Sequence, residues 1–195
     1  MSVKVSVIIP VYNTAGYVRK TIESVLGQSY ENLEIVITDD CSTDNTYEIC
    51  CEYAKKDDRI RLERNDRNSG IGETRNISLK RATGDYLMFM DGDDFIDKNT
   101  VKDCLNKLAD TDAQIVTFPY MDWDSDRSDE INRYYETDRD NVDSGFEAAR
   151  KMMHCDGLDS NVWAKIYDKN IYYDLHFAGD EINGKRQTET AYQYH

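Results

Sequence analysis

Three carboxylates crowd into four residues at Asp91-Gly92-Asp93-Asp94, directly behind the short apolar run Tyr86-Leu87-Met88-Phe89-Met90. A run this short and this rich in aromatics reads as a buried strand, which places the charges at its tip. Like charges so close either fan out into water or share a cation, and an Asp-Gly pair after a strand is by itself an ordinary turn. Carboxylates are hard oxygen ligands suited to Mg2+ or Mn2+, an ion usually shared with a substrate phosphate. A second acidic pair, Asp39-Asp40, follows the β-branched run Leu33 to Thr38, and Asn13, Asn68 and Arg75 lie on neighbouring turns. One carboxylate can accept hydrogen bonds from a nucleobase imide or from ribose hydroxyls while another holds the cation that neutralises a diphosphate. A nucleotide-sugar site needs that division of labour.

For both acidic tips to serve one site, the strands that carry them must end on the same edge of one sheet. Strand candidates at Val3 to Val11, Leu33 to Thr38, Ile60 to Arg64, Tyr86 to Met90 and Ala113 to Pro119 alternate with helix candidates. The helices are expected at Tyr17 to Ser29, Asn45 to Lys55, Gly72 to Arg81 and Thr100 to Ala109. In the first of them Val18, Ile22, Val25 and Leu26 recur at helical spacing, with Lys20, Glu23 and Gln28 off that face. Pro10 lacks a ladder N–H and suits a strand end, and Asp44 suits the N-cap of the second helix. Strand and helix alternating with short joins predict an α/β fold with a mostly parallel sheet flanked by helices. Ligands of such sheets gather at the carboxyl ends of the strands, where Pro10 to Asn13, Asp39 to Asp44 and Asp91 to Asp94 all fall.

Residues 1–121 are therefore expected to form a nucleotide-sugar-binding α/β domain. From Asp122 to Asp140 eight acids and three arginines surround Trp123, Tyr134 and Tyr135 with no helical or strand period. That stretch reads as a solvated excursion whose aromatics could stack on a sugar. A helix from Ser144 to Met153 and the aromatic run Val162 to Phe177 belong to a smaller acceptor-side lobe over 122–195, set against the sheet's carboxyl edge. The last residues, Tyr192-Gln193-Tyr194-His195, carry no helix-ending glycine or proline, so this lobe is expected to be incomplete.

Composition narrows the function classes. The 195 residues suffice to bury a real core without metals or disulfides. A net charge of −14 leaves no basic stripe for nucleic acid. Five cysteines (41, 50, 51, 104, 155) are odd in number and contain no C-x-x-C, arguing against a disulfide framework or a zinc site. No apolar run approaches the ~20 residues of a membrane span, so a cytoplasmic protein is expected, with peripheral attachment at the inner face of the membrane as the variant of that reading. Gly70-x-Gly72 has Arg75 where a dinucleotide fingerprint needs glycine, no P-loop occurs, and the Asp91 and Asp122 clusters lack the glycine and glutamate of calcium loops. Isolated His154 and His176 read as structural residues.

Four ordered segments carry a resemblance: Val5-Ser6-Val7-Ile8-Ile9-Pro10-Val11-Tyr12-Asn13; Asp39-Asp40-Cys41-Ser42-Thr43-Asp44-Asn45-Thr46; Asn68-Ser69-Gly70 with Arg75-Asn76; and Asp91-Gly92-Asp93-Asp94. Over about residues 3–121 the chain resembles the family 2 inverting glycosyltransferases, whose fold is termed GT-A. The resemblance implies that Pro10, Val11 and Tyr12 line the base pocket, Asp39 bonds the uracil ring, and Asn68 and Arg75 lie near the nucleotide. It implies that Asp91 faces the ribose and stands beside the metal, and that Asp93 ligates Mn2+ or Mg2+ between itself and the diphosphate. Cys41 departs from the glycine common at its position, which tightens the turn without abolishing the site.

By the same resemblance the chain is a metal-dependent inverting transferase, moving a sugar from a UDP-sugar to a hydroxyl of a glycan or glycoprotein in polysaccharide biosynthesis. The family's Glu-Asp pair, downstream of a Trp-x-Lys segment, finds Trp163-x-Lys165-Ile166-Tyr167 here but only Thr188-Glu189 before Tyr192. Glu189 then stands in as the catalytic base, with Asp180, in Asp180-Glu181, as the alternative. Two rival readings stand beside the transferase: a non-catalytic nucleotide-sugar-binding lobe of a larger enzyme, and a sugar nucleotidyltransferase. The latter needs a glycine- and lysine-rich grip after the first strand, and Tyr12-Asn13-Thr14-Ala15-Gly16 lacks one. Assembly into a homo-oligomer is compatible with the sequence.

Overall fold

The computed structural model describes residues 3–121, 134–135, 143–144, 161–172 and 177. In chain order the elements are β1 (Val5–Val11), α1 (Val18–Leu26), β2 (Leu33–Asp39), α2 (Thr46–Ala54), β3 (Ile60–Arg64), α3 (Ile71–Arg81), β4 (Tyr86–Phe89) and α4 (Thr100–Ala109). There follow β5 (Ile115–Thr117), β6 (Tyr120–Met121), β7 (Tyr134–Tyr135), β8 (Lys165–Asp168) and a 3-10 turn over Lys169–Tyr172.

Six strands form one sheet in the order β3-β2-β1-β4-β8-β5, while β6 and β7 make a separate antiparallel pair. β1 pairs in parallel with both β2 and β4, and β2 in parallel with β3. The chain thus steps one way from β1 to β3 and then crosses back to β4 on the other side of β1. That reversal is a switch point, and it opens a crevice beyond the carboxyl ends of β1 and β4.

β-branched residues dominate β1 and β2, and every residue of both strands is buried. Alternate side chains feed two cores. Val5, Val7, Ile9, Ile35, Ile37 and Met88 pack with Val18, Ile22 and Val25 of α1, Cys50 of α2 and Val101 and Cys104 of α4. Ile8, Val36, Leu87 and Phe89 face the opposite way, with Ala82, Val162, Tyr167 and Phe177. Pro10 lies within β1 rather than at its end, and it is tolerated for a directional reason. Ile8 takes Met90 N–H on the β4 side, so Pro10, two residues on, turns its missing N–H toward a strand that has already diverged.

The last strand departs from expectation. Lys165–Asp168 lies in the stretch assigned to the smaller lobe, yet it is inserted in the main sheet, antiparallel to β4 and to β5. Insertion there fills the outer edge of β4 and buries Ile166 and Tyr167. α1 is also shorter than expected, because Gly27 follows its last turn and Gln28 turns inward instead of facing water. The Gln28 amide donates to Ser24 and Asp97 carbonyls and accepts Val101 N–H, tying α1 to the start of α4.

At the amino edge of the sheet Glu34 is a buried carboxylate, its side chain 5% exposed. Burial alone would raise its pKa, but hydrogen bonds from Ser6 Oγ, Thr83 N and Thr83 Oγ1 and the charge of Lys4 outweigh that and hold it down at about 2. Among the described residues no helix is long and apolar enough to cross a membrane.

Candidate active site

The tip of β2 is built around Asp39, which is fully buried at 0% exposure. In the parallel register Asp39 is the partner of Val11 on one side and Arg64 on the other. Its Oδ2 accepts Ser42 N–H at 3.0 Å and lies 3.2 Å from Arg64 Nε. The Arg64 guanidinium is itself held: Nη2 donates to Ser42 O at 2.7 Å, and Cζ sits 4.7 Å from the centre of the Tyr47 ring. Asp39 Oδ1, in contrast, is buried and has no hydrogen-bond partner among the described residues. An acceptor left in that state costs about 1–3 kcal/mol.

Asp40 has a different task. Its Oδ1 accepts Asn65 Nδ2 and Ser69 N–H and its Oδ2 accepts Gly70 N–H, at 2.7 to 2.9 Å. It therefore anchors the loop that carries Asn68 and opens α3, where Gly70 adopts φ 83°. Asn68 accepts Gly70 N–H at 3.2 Å within that loop.

The β1–α1 turn is knitted to the β2–α2 turn. Asn13, at φ 52°, gives its N–H to Ser42 Oγ and accepts Thr43 N–H on Oδ1. Asp44 accepts Thr46 N–H and Thr46 Oγ on one oxygen and Ala15 N–H on the other. Burial, the largest single influence, would raise its pKa, but those donors together outweigh it and lower it. Asp44 thus serves the start of α2 as expected, although Asn45 stands at the cap position itself. Cys41 has φ 61°, the left-handed region that favours glycine. Of the residues assigned to the base pocket, Pro10 and Val11 are buried beside Asp39, and Tyr12 is 45% exposed at the edge.

On the other side of β1, Asp91 and Gly92 form the tip of β4. Gly92 is pressed against β1 so closely that an added Cβ would stand 2.9 Å from Val11 Cγ1 and 3.3 Å from Pro10 O. Its own carbonyl accepts the Thr21 hydroxyl of α1 at 2.9 Å. Asp91 accepts Arg75 Nη2 at 2.7 Å, an ion pair whose side chains are 31% and 10% exposed. Arg75 rises from α3 over Phe177, its Cζ 5.7 Å from the ring centre, and its buried Nε has no partner among the described residues. Asn76 exchanges two hydrogen bonds with the Phe177 backbone, fixing that ring under Arg75. Asp93 is exposed.

The Asp39 and Asp91 tips thus flank the end of β1 on one edge, with Pro10, Val11 and Tyr12 between them, Arg75 against Asp91, and Asn68 in the loop that Asp40 anchors. Arg75 stands against Asp91, which leaves that carboxylate one oxygen for other partners. Glu189 and Asp180 lie outside the described residues. Arg64 was not singled out from sequence, although strand ends in register would have set it beside Asp39.

A family model for glycosyl transferase family 2 matches residues 6–178. This chain belongs to glycosyl transferase family 2. The glycosyltransferase GlyG of Streptococcus pneumoniae is 29% identical over 198 residues, covering 98% of this chain and 64% of GlyG. The crystal structure of Staphylococcus aureus TarS 1-349 in complex with UDP-GlcNAc aligns with a TM-score of 0.70 and 26% identity, over 90% of this chain and 49% of that one. The mannosyltransferase PcManGT from Pyrobaculum calidifontis, solved with GDP-Man and Mn2+, aligns with a TM-score of 0.56 and 26% identity over 60% of this chain and 35% of that one. The family 2 chain therefore has the GT-A arrangement expected from its motifs, and it spans less than two thirds of the length of these relatives.

Proposed function

We propose that the crevice beyond β1, β2 and β4 binds a UDP-sugar, and that the protein transfers the sugar, with inversion, to a hydroxyl of a glycan or glycoprotein. The observation that carries this reading is the unpartnered Oδ1 of buried Asp39. The uracil imide is an N–H donor that would satisfy it. Oδ1 is buried, so a base must displace its covering to reach it. Binding of UDP-GlcNAc by the related TarS supports a uridine donor.

A divalent ion fits the chemistry of the β4 tip. Among the described residues no three His, Cys, Asp or Glu side chains converge on a closed protein site. Mg2+ and Mn2+ are commonly held by one or two carboxylates with substrate phosphates completing the shell. Exposed Asp93, with the second oxygen of Asp91, offers that open set, and the Mn2+ in PcManGT supports it. Such an ion would supply charge stabilisation to the departing diphosphate. Arg75 holds Asp91 in place from below.

The reaction is a single displacement. A carboxylate takes the acceptor proton, the acceptor oxygen bonds to C1 of the sugar, and the bond from C1 to the diphosphate breaks, releasing UDP. Glu189 is assigned as that base, with Asp180 as the alternative. Thr188-Glu189 in place of the family's Glu-Asp pair favours a second reading, a nucleotide-sugar-binding lobe of a larger enzyme without turnover. Incubation with UDP-GlcNAc and Mn2+ decides between them. UDP release that is lost in Glu189→Gln, with donor binding retained, is the expected result. Binding without release supports the lobe, and no thermal shift with any UDP-linked compound overturns both.

A further inference from the structure

Asp39 does not offer its whole carboxylate to a ligand. Each carboxylate oxygen has about two acceptor positions. Ser42 N–H donates to Oδ2 at 3.0 Å and the Arg64 guanidinium is ion-paired against the same oxygen, Nε 3.2 Å away, whereas Oδ1 has neither partner. Arg64 is in turn fixed by Ser42 O and Tyr47, so its placement does not depend on the ligand. A carboxylate with both oxygens open can grip two adjacent N–H groups, as guanine presents at N1 and its 2-amino group. A carboxylate with one open oxygen can take only one, as uracil presents at N3.

We propose that Arg64 is a specificity-determining positioning residue: by occupying Asp39 Oδ2 it leaves a single acceptor and so selects a uracil-type imide over guanine. This rests on the reading of Asp39 as the base acceptor. Arg64 touches no substrate in this scheme and acts through Asp39. A site whose polar groups match one base edge leaves the other base with an unsatisfied donor, and discrimination follows from that mismatch.

The test is calorimetric or competitive binding of UDP, GDP and IDP to the full chain with Mn2+. IDP has guanine's N1–H without the 2-amino group, so the GDP-to-IDP ratio counts the second donor alone. In the wild type UDP is expected to bind at least about tenfold tighter than GDP, with GDP and IDP within about threefold of each other. In Arg64→Ala the freed Oδ2 should let GDP gain at least about fivefold over IDP, and Arg64→Lys, which can return a cation to Oδ2, should restore the wild-type ratio. A purely structural Arg64 would weaken all three nucleotides together. Wild-type GDP binding more than about tenfold tighter than IDP overturns the proposal without any variant, as does an unchanged ratio in folded Arg64→Ala. Asp39→Ala separates the two levels: if it binds UDP as the wild type does, the base-pocket reading itself falls, whereas weakened UDP with an unchanged Arg64→Ala ratio sinks only the role of Arg64.

Discussion

Asp39→Asn changes one atom of a buried side chain at the tip of β2 and almost no volume. The oxygen of the new amide belongs at the Oδ2 position, where Ser42 N–H and Arg64 demand an acceptor. The amide nitrogen then occupies the unpartnered Oδ1 position and faces the uracil imide donor to donor. The loss is a hydrogen bond to a charged group, about 1.5–3 kcal/mol, which is roughly 10- to 150-fold in UDP affinity. Cytosine has an acceptor at N3, so CDP should lose far less than UDP or gain on it. Stability should move less than UDP affinity, because Ser42 keeps its acceptor and the Arg64 side chain, 37% exposed, can turn to water. Titration calorimetry with UDP and CDP at fixed Mn2+ reads both affinities. Unchanged UDP affinity in the folded variant would refute the base-pocket assignment, and equal losses for UDP and CDP would show that shape rather than hydrogen bonding is read.

Glu34 should govern acid stability. Its pKa of about 2 in the fold lies below the ordinary 4.5, so its contribution is full above pH 4.5 and is lost as pH falls toward 2. The depression corresponds to about 3 kcal/mol; Glu34→Gln should lower stability by that order at pH 7 and flatten the acid limb of a urea-denaturation series, and parallel curves for both proteins would contradict this. Cys41→Gly should relieve a left-handed residue, worth about 1–2 kcal/mol, against about 0.4–1 kcal/mol of extra freedom in the unfolded chain. A rise in Tm of roughly 1–4 °C by calorimetry is expected, and a fall would show that the weak Cys41 contact to Asp66 O matters more than the strain.

The order of elements through α4 was legible because local signals specify it: β-branched runs for β1 and β2, helical spacing in α1, and short joins that force parallel pairing. Parallel pairing in turn set Asp39 and Asp91 on one edge. Cys41 could be flagged from the family's glycine, and its φ of 61° gives the reason. β8 was not legible as a sheet strand, since Lys165-Ile166-Tyr167-Asp168 is four residues long and its pairing with β4 spans some eighty residues of sequence that no local pattern encodes. The separate tasks of Asp39 and Asp40 were hidden for a similar reason. Adjacent strand-end residues point opposite ways, and only the fold shows one facing Arg64 and the other taking three donors from the 65–70 loop. The ion pair between Arg75 and Asp91 joins α3 to β4, and spacing alone could put both near a nucleotide but not against each other.

Titrating UDP into the wild type and into Asp93→Ala, each once with Mn2+ and once with EDTA, tests the crevice most directly. The wild type should bind at least about tenfold more tightly with Mn2+, and Asp93→Ala should bind equally weakly in both solutions. Equal UDP affinity of the wild type with Mn2+ and with EDTA would contradict a cation shared between Asp93 and the diphosphate.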